Sequence, residues 1–471
     1  MKTRTVPSTW VNRGGRRFDA SPYASGALDA RIRLETLDVP KNLLRELTVG
    51  GLSGLVNPGR IKRLWVSDPS YGRPFLSSTD ILQADLSTVR HISHRAVAEN
   101  PRLLIGEGWT LITRAGTIGR MAYARPDMDG MACTEDVLRV IPDVSVVPAG
   151  YLFAFLSGRF GVPLVTSGTY GAIIQHIEPQ HVADIPVPRL GASLEEKAHE
   201  LVTTAASQLA SYQSLIQAAT EAVMANAGAW NPTPTEWHAD GSDLGFSVGS
   251  NQLHTMRAWN HSRKAARIRQ EIQGGSWSRL ADVIDMNWIR WRKQFQRFDA
   301  DPEYGLEVIT QKPLFRLFPE GRWISKKYLL GLSSKYLVPD RTILIAKQGT
   351  LGEGELYCRC EYISGERALA RAYSDHCMRV VANKEAIHPG YLFAFLRSEA
   401  AFRLLRSLSE GAKQQDLHWR TVPELPVPRC TPEEEQRIGA MVDQAYAVRN
   451  EAVDKMLEAR AIVEYAIEEA H

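Results

Sequence analysis

Cysteine is scarce in this chain: five in 471 residues, namely Cys133, Cys358, Cys360, Cys377 and Cys430. The number is odd and no two stand as CxxC, which argues against a disulfide framework and a four-ligand zinc site and points to a reducing cytosol. No run of about 18 apolar residues occurs, so no membrane span is expected. The opening Met1-Lys2-Thr3-Arg4 is followed by polar and basic residues without an apolar core, so no secretion signal is expected and the predicted compartment is cytoplasmic. A dominant charge is lacking too. Lys and Arg total 56, Asp and Glu 53, and the formal net charge is only +3. A polyanionic partner must therefore be met by local clusters of positive charge, with acids elsewhere.

Catalytic signatures are also missing. There is no GxxxxGK[ST] phosphate loop and no HExxH pair. An adenine methyltransferase needs an (N/D)PP(Y/F) loop to hold the amino group of its target base, and the nearest string here, Asn231-Pro232-Thr233, fails. Acids are plentiful, but no carboxylate–lysine cluster stands out as a nuclease centre. No catalytic residue, metal ligand or cofactor is therefore assigned to the chain itself.

What the chain does contain is an internal repeat, the feature that fixes architecture first. Gly150-Tyr151-Leu152-Phe153-Ala154-Phe155-Leu156 returns as Gly390-Tyr391-Leu392-Phe393-Ala394-Phe395-Leu396, and Pro186-Val187-Pro188-Arg189 returns as Pro426-Val427-Pro428-Arg429. Both pairs are offset by 240, and 19 of the 52 positions of 139–190 are identical in 379–430. Upstream, Gly116-Thr117-Ile118-Gly119 matches Gly349-Thr350-Leu351-Gly352 at an offset of 233. Each half thus has one order of parts. A variable block (about 17–105 and 255–338) precedes a strand–turn–strand around GTxG. A helix carrying GYLFAFL follows, whose apolar residues read as core, then a Gly/Ser-containing loop, an extended PVPR segment and a long helix.

The long helices have legible starts and seams. Ser193-Leu194-Glu195-Glu196 and Thr431-Pro432-Glu433-Glu434-Glu435 put acids in the first turn, and the second has Pro at its first helical position. The first stripe includes Leu194, Leu201 and Leu215; the second includes Ile438, Met441, Val448, Met456 and Val463. Four-and-three spacing predicts heptad packing, most simply of one helix against the other as an antiparallel coiled coil, the alternative being that each covers its own domain. The predicted fold is α+β. Residues 1–190 and 251–430 form two tandem domains of mixed β-sheet and helices, 191–228 and 431–471 are the long helices, and the Gly- and Pro-containing 229–250 is a linker.

Two variable blocks, each closed by GTxG, GYLFAFL and PVPR and each followed by a heptad helix, resemble the DNA-specificity subunit of type I restriction–modification systems. The resemblance spans about 17–226 and 255–468. It implies two target-recognition domains that read the two parts of a split, asymmetric DNA target, with the paired helices as the spacer. It implies double-stranded DNA and two copies of an adenine-N6 methyltransferase subunit as partners, with room for a restriction/translocase subunit. S-adenosylmethionine is expected on the methyltransferase, and the specificity subunit makes no bonds itself. The competing readings are a protein–protein scaffold with little DNA reading of its own and a cryptic nuclease.

Candidate DNA contacts follow. Arg60, Lys62 and Arg63 form a basic segment ahead of the first turn; Arg290, Arg292, Lys293 and Arg297 interleave with aromatics in the second half. Such residues pair with phosphates or read base edges, or else line a solvated strand face. Arg114, Thr117 and Arg120, and Lys347, Gln348 and Thr350, belong to or flank the GTxG turns, which either hold a phosphate or are plain hairpins. Gln175, and Lys413, Gln414 and Gln415, occupy aligned loops, where glutamine reads adenine or simply caps the loop.

Overall fold

The computed structural model describes residues 5–6, 8–13, 26–167, 176–239 and 257–470. The chain divides into two compact units. One comprises Met1–Gln83, Val89–Ala210 and Glu451–His471; the other comprises Ala84–Thr88 and Ser211–Asn450. Each contains strands and helices, as an α+β fold requires.

In the first unit, the β-branched, fully buried strand Thr110–Thr113 turns back into Met121–Tyr123 and pairs on its other side with Val137–Val140, which in turn pairs with Leu55–Val56. A second sheet sets Gly72–Leu76 between His91–Ser93 and Ala132–Cys133, the latter pair parallel with Phe75 opposite Ala132. The helix Ala149–Ser157 carries GYLFAFL, and all seven of those residues are buried, as core residues should be. Pro186–Pro188 runs antiparallel to Lys41–Leu43. Proline cannot donate to a ladder, which suits this two-stranded edge pair with Val187 between its prolines.

The second unit repeats these parts. Thr342–Ala346 lies between Cys360–Ile363 and Cys377–Val380; Gly305–Ile309 lies between antiparallel Arg322–Ser325 and parallel Ala372–Tyr373; Pro426–Pro428 pairs with Trp277–Arg279. The 240-residue offset extends to single bonds. Tyr151 and Tyr391 donate their hydroxyls to the carbonyls of Pro188 and Pro428. Arg189 pairs with Glu195 at 2.8 Å and Arg429 with Glu435 at 2.7 Å, so the last residue of each PVPR clamps an acid in the first turn of its long helix.

Those helices run Ala192–Ala227 and Pro432–Glu469. In the first unit Ala198, Val202 and Ala206 share a core with Ala459, Val463 and Ile467. In the second, Tyr212, Ile216, Ala219 and Val223 share one with Ile438, Val442, Ala445 and Tyr446. Residues 198, 202, 205, 209, 212, 216, 219 and 223 are all buried, a four-three alternation throughout. The expected seam needs correction by one residue in places. Ile438, Met456 and Val463 are buried, but Leu194, Leu201, Leu215, Met441 and Val448 are half-buried flanks. The seam runs through Val202, Ile216, Val442 and Arg449 instead. At Val448 the reason is Arg449: it is buried against Glu361 at 2.6 Å and lies over the rings of Tyr212 and Tyr446, so a charged residue holds the position that an apolar pattern assigns to Val448. Gly439, the one interruption in the second helix, faces Gly390, and a Cβ there would fall 2.0 Å from His388 Nδ1.

The segment expected to be linker is structured through Ala239. Trp230 stacks on Trp237 (6.1 Å), Arg267 lies over Trp230 (4.6 Å), and Asn231 Oδ1 accepts from the Ala400 backbone N–H (2.9 Å). Two tryptophans and a helix cap outweigh the Pro-rich composition. No single helix among the described residues is long and apolar enough to cross a membrane.

Candidate nucleic-acid interface

The GTxG turn of each unit sits in the same backbone frame. In the first, Arg114 N–H donates to Asp136 O (2.9 Å) and Arg114 O accepts from Ile177 N–H (3.2 Å); in the second, Lys347 N–H donates to His376 O (3.1 Å) and Lys347 O accepts from Leu417 N–H (2.9 Å). What fills the frame differs.

In the first unit the turn is shaped by Thr113, whose backbone N–H donates to Arg120 O (2.8 Å) and whose hydroxyl donates to Thr117 O. Gly116 and Gly119 have φ of 72° and 79°, and a Cβ at Gly119 would fall 2.4 Å from Thr166 Cγ2. Both features require glycine. Thr117 is exposed and Arg120 half-buried. Arg114 is buried: it donates to Ile177 O (2.9 Å) and Glu135 O (3.3 Å) and pairs with Glu178. Its guanidinium ties the turn to the chain beyond, an internal role. Arg63 reaches Glu135 at 3.3 Å, while Arg60 and Lys62 are exposed just ahead of it. Gln175 lies outside the described residues.

The second unit draws more of the expected residues together. Strand residues Gln348 and Gly349 pair with Asp416 and Gln415, joining the turn to the loop that the repeat aligns with 168–175. Asp416 Oδ2 accepts from Arg292 Nη2 (2.8 Å) and Gln348 Nε2 (3.4 Å). Gln311 brackets Gln348 from the other side: its Nε2 donates to Gln348 O (2.6 Å) and its Oε1 accepts from Gln348 N–H (3.2 Å). His376 Nδ1 contacts Gln348 Oε1. Lys347 is 3% exposed, and burial, reinforced by Arg292, pulls its ammonium below the ordinary lysine range. Gln415 is also buried, accepting from Arg257 Nη2 (2.9 Å) and donating to Ala412 O, so it braces its loop. Lys413 and Gln414 are exposed at the loop tip, as is Thr350 on the turn. Arg290 is exposed and lies over Trp419 (5.4 Å), with Arg420 also over that ring (5.1 Å). Lys293 and Arg297 are exposed on the same basic segment.

The exposed cationic surface of the second unit therefore comprises Arg290, Lys293, Arg297 and Lys413, with Arg292 ion-paired to Asp416 and Trp419 as an aromatic platform. Among the described residues no group of three or more His, Cys, Asp or Glu side chains is placed to hold a metal ion.

No family model and no curated protein sequence matches the chain. Among solved structures it is similar to the S subunit of a type I restriction–modification system from M. genitalium: 10% identity over 92% of this chain and 96% of that one, with a TM-score of 0.33. It is similar to the HsdS subunit of Thermoanaerobacter tengcongensis, at 14% identity over 92% and 97% of the chains with a TM-score of 0.27. A chain described for complex assembly and conformational transition of the type I R-M system has 13% identity, 92% and 98% coverage and a TM-score of 0.26.

Asp416, Gln311, His376, Trp419 and Arg420 join the site without having been singled out in the sequence. Position 416 carried a signal of sorts, lying next to Gln415 in the aligned loop; Gln311 and Trp419 carried none, because only tertiary pairing brings them near the turn.

Proposed function

We propose that this chain is a sequence-specific DNA-recognition subunit without catalytic activity of its own. Each unit reads one part of a bipartite, asymmetric target, and the complex directs an adenine-N6 methyltransferase, present in two copies and carrying S-adenosylmethionine, to that target. A restriction/translocase subunit completes the complex where DNA cleavage accompanies methylation.

One observation supports this reading above the others: two units share a backbone frame around the GTxG turn, yet present different side chains at it. A duplicated scaffold with divergent contact residues suits two readers of two different half-sites. The long helices suit a spacer paired as an antiparallel coiled coil. Ala192–Ala227 has 36 residues, about 54 Å at 1.5 Å per residue, against about 34–36 Å for a turn of DNA.

The test is genome-wide mapping of N6-methyladenine in host cells with and without the gene. Loss of methylation at one split, asymmetric motif is the expected result. Exchange of 17–188 for another variable block then changes one half of that motif only; an unchanged motif after the exchange overturns the reading.

A further inference from the structure

The two units carry equivalent hydroxyl–carboxylate pairs at the ends of their parallel strands, and only one unit closes the pair internally. In the first, Thr134 Oγ1 donates to the Glu135 carboxylate (3.0 Å), and Arg63 Nη2 donates to Thr134 Oγ1 (3.1 Å) and to both carboxylate oxygens (3.3 and 3.4 Å). The 240-residue offset puts Ser374 and Asp375 at the same positions of the second unit, and no arginine completes them there. They are 3% and 9% exposed. The Ser374 hydroxyl lies against the Cys377 thiol, and the Asp375 carboxylate, attracted by the Arg379 and Lys347 charges, forms no hydrogen bond among the described residues. Both line a cavity of about 570 Å³ whose wall includes Phe295, Val308 and Ile324, with the exposed Arg297 at its edge. A carboxylate that opens on a cavity and receives no donor from the protein is left to accept one from a ligand. The volume falls in the range of small-ligand sites.

We infer that this cavity is a guanine site. The donor that closes the pair in the first unit is a guanidinium. The N1–H and N2 amino edge of guanine presents the same planar fork of two donors, the geometry that a carboxylate accepts in bidentate fashion. Adenine has an acceptor at N1 and lacks the fork; hypoxanthine retains N1–H but has no amino group. Phe295 offers a face for the ring and Arg297 a charge for the attached phosphate. The base comes either from a free guanine nucleotide or from a nucleotide unstacked from bound DNA. Only the second source rests on the DNA-recognition reading.

Calorimetric titration of the full chain with GMP, IMP and AMP tests the chemistry. The expected result is GMP binding that weakens about tenfold or more in IMP, the effect of deleting one hydrogen bond to a charged group, and no binding of AMP. Asp375→Asn removes GMP binding while leaving the thermal midpoint within a degree or two. Should that variant fold poorly, the GMP–IMP comparison on the unaltered chain decides. The second arm places 6-methylisoxanthopterin, a fluorescent guanine analogue that keeps both donors, at each guanine of the mapped target duplex. A fluorescence rise at one position in the complex, lost in Phe295→Ala, assigns the site to DNA even if free GMP does not bind. Equal affinity for GMP and IMP overturns the inference, as does the absence of both GMP binding and an unstacked guanine in a duplex that is otherwise bound. A complex that shows no sequence-dependent duplex binding defeats the DNA reading and leaves the GMP arm to decide.

Discussion

Arg139 and Arg379 stand 240 positions apart and perform the same task in their units. Each guanidinium is buried and donates to backbone carbonyls at the end of the short parallel strand: Arg139 to Cys133, Thr134 and Val137 at 2.6, 2.9 and 2.5 Å, Arg379 to Tyr373, Ser374 and Cys377 at 2.5, 3.3 and 2.9 Å. Neither forms a salt bridge with an acid among the described residues, and burial draws Arg379 down to about 10. A cation in each core thus gathers backbone carbonyls, of which those of Thr134 and Ser374 also accept from the Val137 and Cys377 N–H groups (3.3 and 3.2 Å). Arg379→Met removes all three of these donated bonds, leaving the Ser374 carbonyl only the Cys377 N–H (3.2 Å), and is expected to lower stability by about 3 kcal/mol or more. Urea unfolding followed by tryptophan fluorescence checks this.

Arg449 and Glu361 form a buried pair at 2.6 Å, with the Tyr446 hydroxyl donating to the same carboxylate oxygen at 2.7 Å. Arg449→Leu strands the carboxylate and is expected to cost about 3–5 kcal/mol, whereas Arg449→Leu with Glu361→Leu recovers most of the loss. A double-mutant cycle by chemical denaturation decides. Equal losses in the single and double variants would show that the pair is not the source.

The two basic segments should separate binding from folding. In the assembled complex, Arg290→Ala and Arg292→Ala are each expected to weaken duplex binding and to reduce the slope of log affinity against log salt by about one. Arg114→Ala, which removes a buried internal clamp, is expected instead to lower the thermal midpoint. Fluorescence anisotropy across a salt series and differential scanning calorimetry read the two effects. An unchanged salt slope in Arg290→Ala and Arg292→Ala would remove them from the interface.

Glu353, one residue beyond the second GTxG turn, is held by Arg403 through two bonds of 2.6 and 2.7 Å. Burial alone would raise its carboxyl, but Arg403 and His238 outweigh that and hold it at about 2, against an ordinary 4.5. A depressed acid contributes stability above its unfolded value and loses it as pH falls toward the folded one. Glu353→Gln is therefore expected to lower the melting temperature at neutral pH, with the difference from the parent shrinking between about pH 4.5 and 2. A melting series across that range checks it; a constant difference would mean the charge is not responsible.

The repeat made much of this molecule readable. Seven consecutive apolar residues in GYLFAFL, a Pro-Val-Pro strand and a glycine-punctuated turn are local signals, and each became the element its residues suggest. The register of the long helices was less readable because its decisive residue is charged: Arg449 enters the seam only because Glu361, some ninety positions earlier, is waiting there. Arg114 and Gln415 looked like contact residues because their side chains suit DNA, yet both are spent on backbone carbonyls and neighbours that sequence spacing does not reveal. Trp230 and Trp237 were hidden by the prolines around them. Ser374 and Asp375 were inconspicuous until the first unit showed what normally completes that pair.

The division of the long helices between the units has a consequence for the chain as a heritable object. The first unit takes Ala459, Val463 and Ile467 from the far end of the polypeptide, while the second takes Tyr212, Ile216, Ala219 and Val223 from the half that precedes its own strands. A break between 239 and 257 would therefore leave no self-sufficient piece. Each fragment would lack part of its own core and hold part of the other's. The halves are copies in sequence but reciprocal lodgers in structure, so co-expressed fragments should re-form the pair by exchanging helices, and either fragment alone should be insoluble.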